Sequence, residues 1–101
     1  MTQSTLNRKV VICNPQGLHA RPADLFVRLA NSFQSDITVI KDSQRVDGKS
    51  MLDIFTLAAS QGTELWIEAR GPDAQQAIDA LGELVDGGFA EGEAADQAQP
   101  S

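Results

Sequence analysis

Asn14-Pro15-Gln16-Gly17-Leu18-His19-Ala20-Arg21-Pro22-Ala23 joins two segments with different hydrophobic periods, and that change of period sets the first βα unit of the chain. Upstream, Asn7 to Asn14 is rich in Val and Ile and reads as a strand, stopped by the turn signal Asn14-Pro15-Gln16-Gly17. Downstream, Phe26, Leu29, Ala30 and Phe33 recur at three- and four-residue steps, with Asp24, Arg28 and Asn31 off that face. Pro22 fits the first turn of such a helix, where its missing N–H breaks no bond. His19 and Ala20 therefore lie at the helix mouth. Arg21 precedes a proline and is biased away from helical geometry, so the boundary is soft by a residue or two.

The rest of the chain reads as alternating short elements. Asp36 to Lys41 is a strand with β-branched Thr38, Val39 and Ile40, and Gln44 to Asp47 a shorter one after the turn at Lys41-Asp42-Ser43. Ser50 to Leu57 reads as a short helix with Leu52 and Phe55, together with Met51 and Ile54, turned inward. Its opening Ser50-Met51-Leu52-Asp53 has the capping pattern Ser/Thr-x-x-Asp/Glu. Thr63 to Ala69 alternates Leu65, Ile67 and Ala69 against Glu64, Trp66 and Glu68, as a half-buried strand does. Asp73, with Gln76 three residues on, opens a last helix with an apolar stripe from Ala74 to Val85, ended by Gly87-Gly88. The order β-α-β-β-α-β-α, without a Gly-rich βα turn, predicts an α+β fold with helices layered on one face of a mostly antiparallel sheet. We divide the chain into an extension 1–6, a domain 7–91 and a flexible acidic tail 92–101.

Composition excludes several classes of function. A chain of 101 residues has room for one modest core. The single cysteine, Cys13, rules out an internal disulfide and a Cys-rich metal site, and within its apolar run it reads as a small buried hydrophobe. With one histidine, no multi-His metal site or His-based triad is available either, so neither metal nor cofactor is expected. No leader-like or membrane-length apolar run is present, which reads as a cytoplasmic protein. The net charge of −6 argues against nucleic acid or an anionic membrane as main partner. Before Asp24 the charged residues are Arg8, Lys9 and Arg21, all basic, and this end is where an anion is tolerated.

His19 is the chemical centre of this pattern. A lone histidine is most often a surface or cap residue without chemistry, but its neighbours argue otherwise. The first N–H groups of the helix and the positive end of its dipole face the imidazole, and Arg21 offers a guanidinium fork suited to phosphate oxygens. Positive surroundings disfavour the imidazolium and leave a lone pair free to attack phosphorus. No nearby base is placed to activate water. The site suits holding a phosphoryl group and passing it on.

These ten residues resemble the active-site signature of the HPr family, the histidine-containing phosphocarriers of the bacterial phosphotransferase system. The similarity runs from about Lys9 to about Glu91 and includes Phe26, Ser35-Asp36-Ile37, Gly48-Lys49-Ser50, Gln61-Gly62-Thr63 and the helix after Pro72. The resemblance implies an open-faced β-sandwich, with three helices on one face of a four-stranded antiparallel sheet. It implies phosphorylation of His19 on Nδ1 by enzyme I at the expense of phosphoenolpyruvate, then transfer to a sugar-specific EIIA domain. Arg21, with the backbone of Ala20, would balance the phosphate charge, and the protein would be a carrier without catalytic activity of its own. Phe26, Arg28 and the surface Met51, Ile54 and Phe55 would dock partners, which favours a monomer.

Ser50 has two readings, a helix N-cap and, by the same resemblance, a regulatory site for an HPr kinase/phosphorylase. A regulatory relative that does not feed sugar uptake is the alternative to the transport role, and a passive anion- or peptide-binding module is a third reading. Gly48-Lys49-Ser50 also ends like a nucleotide-binding P-loop, but Ser43 stands where that loop needs its first glycine. One departure from the family concerns Ala58, where many relatives have Gly.

Overall fold

A computed structural model describes residues 5–90 of the chain. Its elements are β1 (Thr5–Val11), α1 (Ala20–Asn31), β2 (Asp36–Lys41), β3 (Gln44–Asp47), α2 (Met51–Thr56), β4 (Glu64–Arg70) and α3 (Ala74–Asp86), with a single 3-10 turn at Gly88–Ala90. The four strands form one antiparallel sheet in the order β1-β4-β2-β3. β4 enters between β1 and β2, pairing Val10 with Leu65 on one side and Val39 with Ile67 on the other. The strand alternation then places Val10, Ile37, Val39, Leu65, Ile67 and Ala69 on one face, where they are buried under the helices. The opposite face stays open, with Trp66 exposed on it.

Both ends of β1, the exposure of Cys13 and the role of Asp73 differ from the sequence reading. β1 starts at Thr5, so the last two residues of the expected extension belong to the sheet, paired with Arg70 and Ala69. It ends at Val11 because Ile12 leaves the ladder to bond the β4 approach, donating to Thr63 and accepting from Gly62. The strand alternation continues past Val11, with Val10 and Ile12 inward and Val11 and Cys13 outward, so Cys13 is exposed rather than a buried hydrophobe. Asp73 precedes α3 as expected but does not cap it. Its carboxylate instead accepts from the backbone N–H of Gln34 and Ser35 and from the Ser35 hydroxyl, at 2.9, 2.9 and 2.6 Å, tying the α1–β2 turn to the start of α3. The expected tail 92–101 lies outside the described residues.

α1 buries Pro22, Ala23, Phe26 and Ala30 against the sheet. α3 buries Ala77, Ile78, Leu81 and Val85, and Gly82 leaves room for Arg8 to cross it: a Cβ there would fall 2.4 Å from the Arg8 guanidinium carbon. Arg8 then pairs with Asp86 at 2.6 Å. After Gly87 the chain turns Phe89 back into the core, 2% exposed, at a positive φ of 58°. Full burial of such a ring is worth about 1.5–3 kcal/mol, enough to offset roughly 1–2 kcal/mol of left-handed backbone cost.

Candidate functional site

The site is built where the turn after β1 meets α1. Asn14 is buried and donates through Nδ2 to the Gly17 carbonyl at 2.9 Å, while the Gly17 N–H returns to the Asn14 carbonyl at 3.1 Å. These bonds close the turn. Gly17 adopts φ +70° and lies against the segment after α2: a Cβ there would fall 2.5 Å from the Ala59 oxygen and 2.8 Å from the Ser60 Cα. Glycine is needed for both reasons. Leu18 then donates its N–H to Ala59 at 2.9 Å, which anchors the chain one residue before His19.

His19 is the N-cap of α1, with extended backbone at φ −86° and ψ −167° and a half-buried side chain. Its carbonyl accepts from Ala23 at 3.0 Å and its N–H donates to Gly17 at 2.9 Å. Its side chain makes no capping bond, and the first turn holds no acidic residue. Of the donors that a helix start leaves without an intrahelical acceptor, Pro22 supplies none, so Ala20 and Arg21 provide the first-turn N–H groups. They open the helix directly after His19, at the positive end of the helix dipole. Arg21 is exposed at the second position of the helix. The arrangement can hold a dianion on the imidazole by charge-assisted hydrogen bonds from backbone and guanidinium.

The broader basic region expected from the N-terminal third does not converge here. Arg8 is paired with Asp86, and Lys9 lies 4.0 Å from Glu64 on the open face of the sheet. The local positive character at His19 comes from the helix start and Arg21. The surface hollow bounded by Arg45, Asp47, Lys49 and Asp53 lies elsewhere and contains no residue of this loop. Among the described residues no group of His, Cys, Asp and Glu side chains could hold a metal ion, and no helix is long and apolar enough to cross a membrane.

Ser50 is the N-cap of α2, and its hydroxyl accepts from the Asp53 N–H at 3.2 Å. α2 runs back along α1: Asn31 donates to the Lys49 carbonyl at the start of α2, and Leu18 bonds Ala59 beyond its end. This brings α2 beside the helix mouth. Its apolar residues are not disposed as expected. Ile54 and Leu57 are buried, whereas Leu52 is 78% exposed and Phe55 42%. The inward assignment of Leu52 and Phe55 is therefore corrected. So is the docking role of Phe26 and Ile54, 3% and 1% exposed, which are core residues out of a partner's reach. Met51 is half-exposed and Arg28 exposed.

Sequence reasoning did not foresee the Asn14 side-chain bond or the Ala59 carbonyl under Leu18. The first had a local signal, an Asn opening a turn that ends at Gly. The second joins residues 41 positions apart and had none.

Comparison with known proteins bears on this geometry. Residues 6–86 match the family model described as the PTS HPr component phosphorylation site. The phosphocarrier protein HPr of Neisseria meningitidis is 41% identical over 88 residues, covering 87% of this chain and 99% of its own. The crystal structure of HPr from Thermoanaerobacter tengcongensis matches with a TM-score of 0.81 at 43% identity, over 83% of this chain and 94% of that one. Crh of Bacillus subtilis, a catabolite repression protein whose crystal structure is a swapped dimer, matches with a TM-score of 0.67 at 42% identity, over 80% and 93% of the two chains. By sequence over most of its length and by the open-faced sheet with its three helices, the chain belongs to the HPr family of phosphocarrier proteins.

Proposed function

We propose that this protein is a cytoplasmic phosphoryl carrier of the phosphotransferase system. His19 accepts a phosphoryl group from enzyme I, which draws it from phosphoenolpyruvate, and hands it to an EIIA-type component of sugar transport. In the first step an imidazole lone pair attacks phosphorus, an N–P bond forms, and the bond to the donor breaks with its electron pair leaving on the donor. The second step is the same exchange with His19 as the leaving group. The observation that carries this reading is the imidazole at the N-cap of α1, half-buried, at a helix start whose first turn holds no acidic residue. Ala20 and Arg21 balance the phosphoryl charge through backbone N–H groups and the guanidinium fork.

Incubation with enzyme I and phosphoenolpyruvate tests it. The wild-type chain takes up acid-labile phosphate, His19→Ala takes up none while keeping its fold, and Arg21→Lys transfers more slowly at unchanged stability. Label retained by His19→Ala at the wild-type level removes the assignment.

A second reading is favoured by the similarity to Crh and by Ser50 at the start of α2. On that reading the protein is regulatory, and an HPr kinase/phosphorylase modifies Ser50, adding about −1.5 to −2 of charge beside the docking surface. A monomer fits the carrier role, because the surface around His19 must stay open to partners. Sedimentation with and without enzyme I checks that state.

A further inference from the structure

The alternation of β2 turns Ile37 and Val39 into the core and carries Lys41, at the end of the strand, to the same helix-covered side. Gln44 is its cross-strand partner across the turn Asp42-Ser43, so two polar side chains stand where the pattern calls for apolar ones. The end of α2 takes them up. A helix terminus leaves its last carbonyls without intrahelical donors, and here every carbonyl from Asp53 to Leu57 has a partner. The Thr56 hydroxyl donates to Asp53 at 2.6 Å, and the N–H groups of Leu57 and Ala58 donate to Ile54 and Phe55, both at 3.1 Å. The last two carbonyls are reached from the β2–β3 hairpin. Gln44 donates through Nε2 to the Thr56 carbonyl at 3.4 Å and its hydroxyl at 3.2 Å, and Lys41 donates through Nζ to the Leu57 carbonyl at 2.9 Å. Two residues further on, the Ala59 carbonyl accepts the Leu18 N–H, and His19 follows Leu18 directly. Ala58, between the two held carbonyls, sits in the narrow left-handed basin at φ +49°, so the link from Leu57 to Ala59 is stiff.

We propose that Lys41 is a positioning residue for phosphoryl transfer. By fixing the Leu57 carbonyl it sets the place of the Ala59 carbonyl, and through the Leu18 bond the place of the His19 imidazole. Lys41 itself touches neither the imidazole nor the phosphoryl group. Its bond is charge-assisted and partly buried, and is the stronger of the two hairpin contacts. Transfer of a phosphoryl group requires the accepting nitrogen in line with the breaking bond, so a small displacement of the imidazole slows the step without loosening the complex. This inference rests on the carrier reading of His19.

Lys41→Met removes the ammonium group and keeps most of the stem. Two measurements on the whole chain test it: amide hydrogen exchange by NMR, and phosphorylation of His19 by enzyme I with kcat and KM read separately. The Leu18 amide exchanges about threefold or more faster relative to the sheet amide of Ile67, and kcat falls about three- to tenfold at unchanged KM. Lys41→Arg still offers a charged donor to the Leu57 carbonyl and keeps both values near those of the wild type. Asp73→Asn, which loosens the α1–β2 turn instead, leaves both unchanged well below its melting temperature. Wild-type kcat in Lys41→Met overturns the proposal, whether or not Leu18 exchange moves, because Lys41 is then only a cap of α2. So does an effect matched by Asp73→Asn, one that falls on KM, or one that Lys41→Arg fails to rescue. A wild-type chain that takes up no phosphate is a different result: it removes the carrier reading and the transfer role of Lys41 with it, and Leu18 exchange then reports the strut alone.

Discussion

Ala58 sits in the left-handed region at φ +49°, in the position after the α2 C-cap Leu57 where a glycine commonly ends a helix. Its N–H still bonds the Phe55 carbonyl at 3.1 Å, so the geometry is that of a helix terminus with the wrong residue type. A Cβ in this region costs roughly 1–2 kcal/mol. Ala58 is exposed, so its methyl group recovers little by burial. Ala58→Gly removes that strain and adds about 0.4–1 kcal/mol of freedom to the unfolded chain. The difference is a net stabilisation of about 0.5–1 kcal/mol, or a melting temperature higher by roughly 2–8 °C for a domain of this size. Thermal and urea unfolding followed by circular dichroism measures it. Ala58→Val, with a branched side chain in the same backbone, should lower stability by more than the glycine raises it. The reasoning fails if Ala58→Gly melts at or below the wild-type temperature. Because Ala59 holds Leu18, the glycine variant also reports whether this strain bears on His19: equal phosphotransfer rates mean that it is purely conformational.

Gly17→Ala, with a Cβ driven toward the Ala59 oxygen at positive φ, should cost more than about 1 kcal/mol and slow phosphorylation of His19, read by urea unfolding and by transfer kinetics. The Ser35 hydroxyl and then the Gln34 N–H hold the Asp73 carboxyl below the ordinary carboxylate range. A depressed folded-state value gives stability that is present above the unfolded value, about 3.9, and is lost as pH falls through the folded one. Asp73→Asn should therefore melt lower at neutral pH and lose less stability than wild type on acidification below about pH 4, in a thermal melt series. Ser50→Ala should cost roughly 0.5–2 kcal/mol by loss of the cap to Asp53 and leave transfer intact. Ser50→Asp should keep the melting temperature and reduce acceptance of phosphate from enzyme I; acceptance at the wild-type rate would leave Ser50 a cap and nothing more.

Local pattern was enough wherever one face of an element had no alternative. β2 and β3 have the bounds read from their β-branched residues and the intervening turn, and β4 buries Leu65, Ile67 and Ala69 as its alternation requires. Pro22 placed His19 at a helix mouth because a proline is tolerated in the first turn and disrupts any later one. The remaining features depend on contacts between residues distant in the chain. α2 is six residues long and apolar on several sides, so periodicity had no means of choosing between Ile54 and Leu52 for the core; packing on α1 and the sheet made that choice. Asp73 left the helix it precedes because two N–H groups and a hydroxyl of the α1–β2 turn reach its carboxylate. Arg8 and Lys9, basic neighbours of the site in the linear chain, were carried to Asp86 and Glu64 by strand pairing and helix packing. The His19 motif was thus legible as a string, since a turn, a histidine and a helix start are local. What supports it from below, the Ala59 carbonyl and the left-handed turn at Ala58, exists because β4 inserts between β1 and β2 and draws the end of α2 under the loop, a juxtaposition that no short-range period encodes.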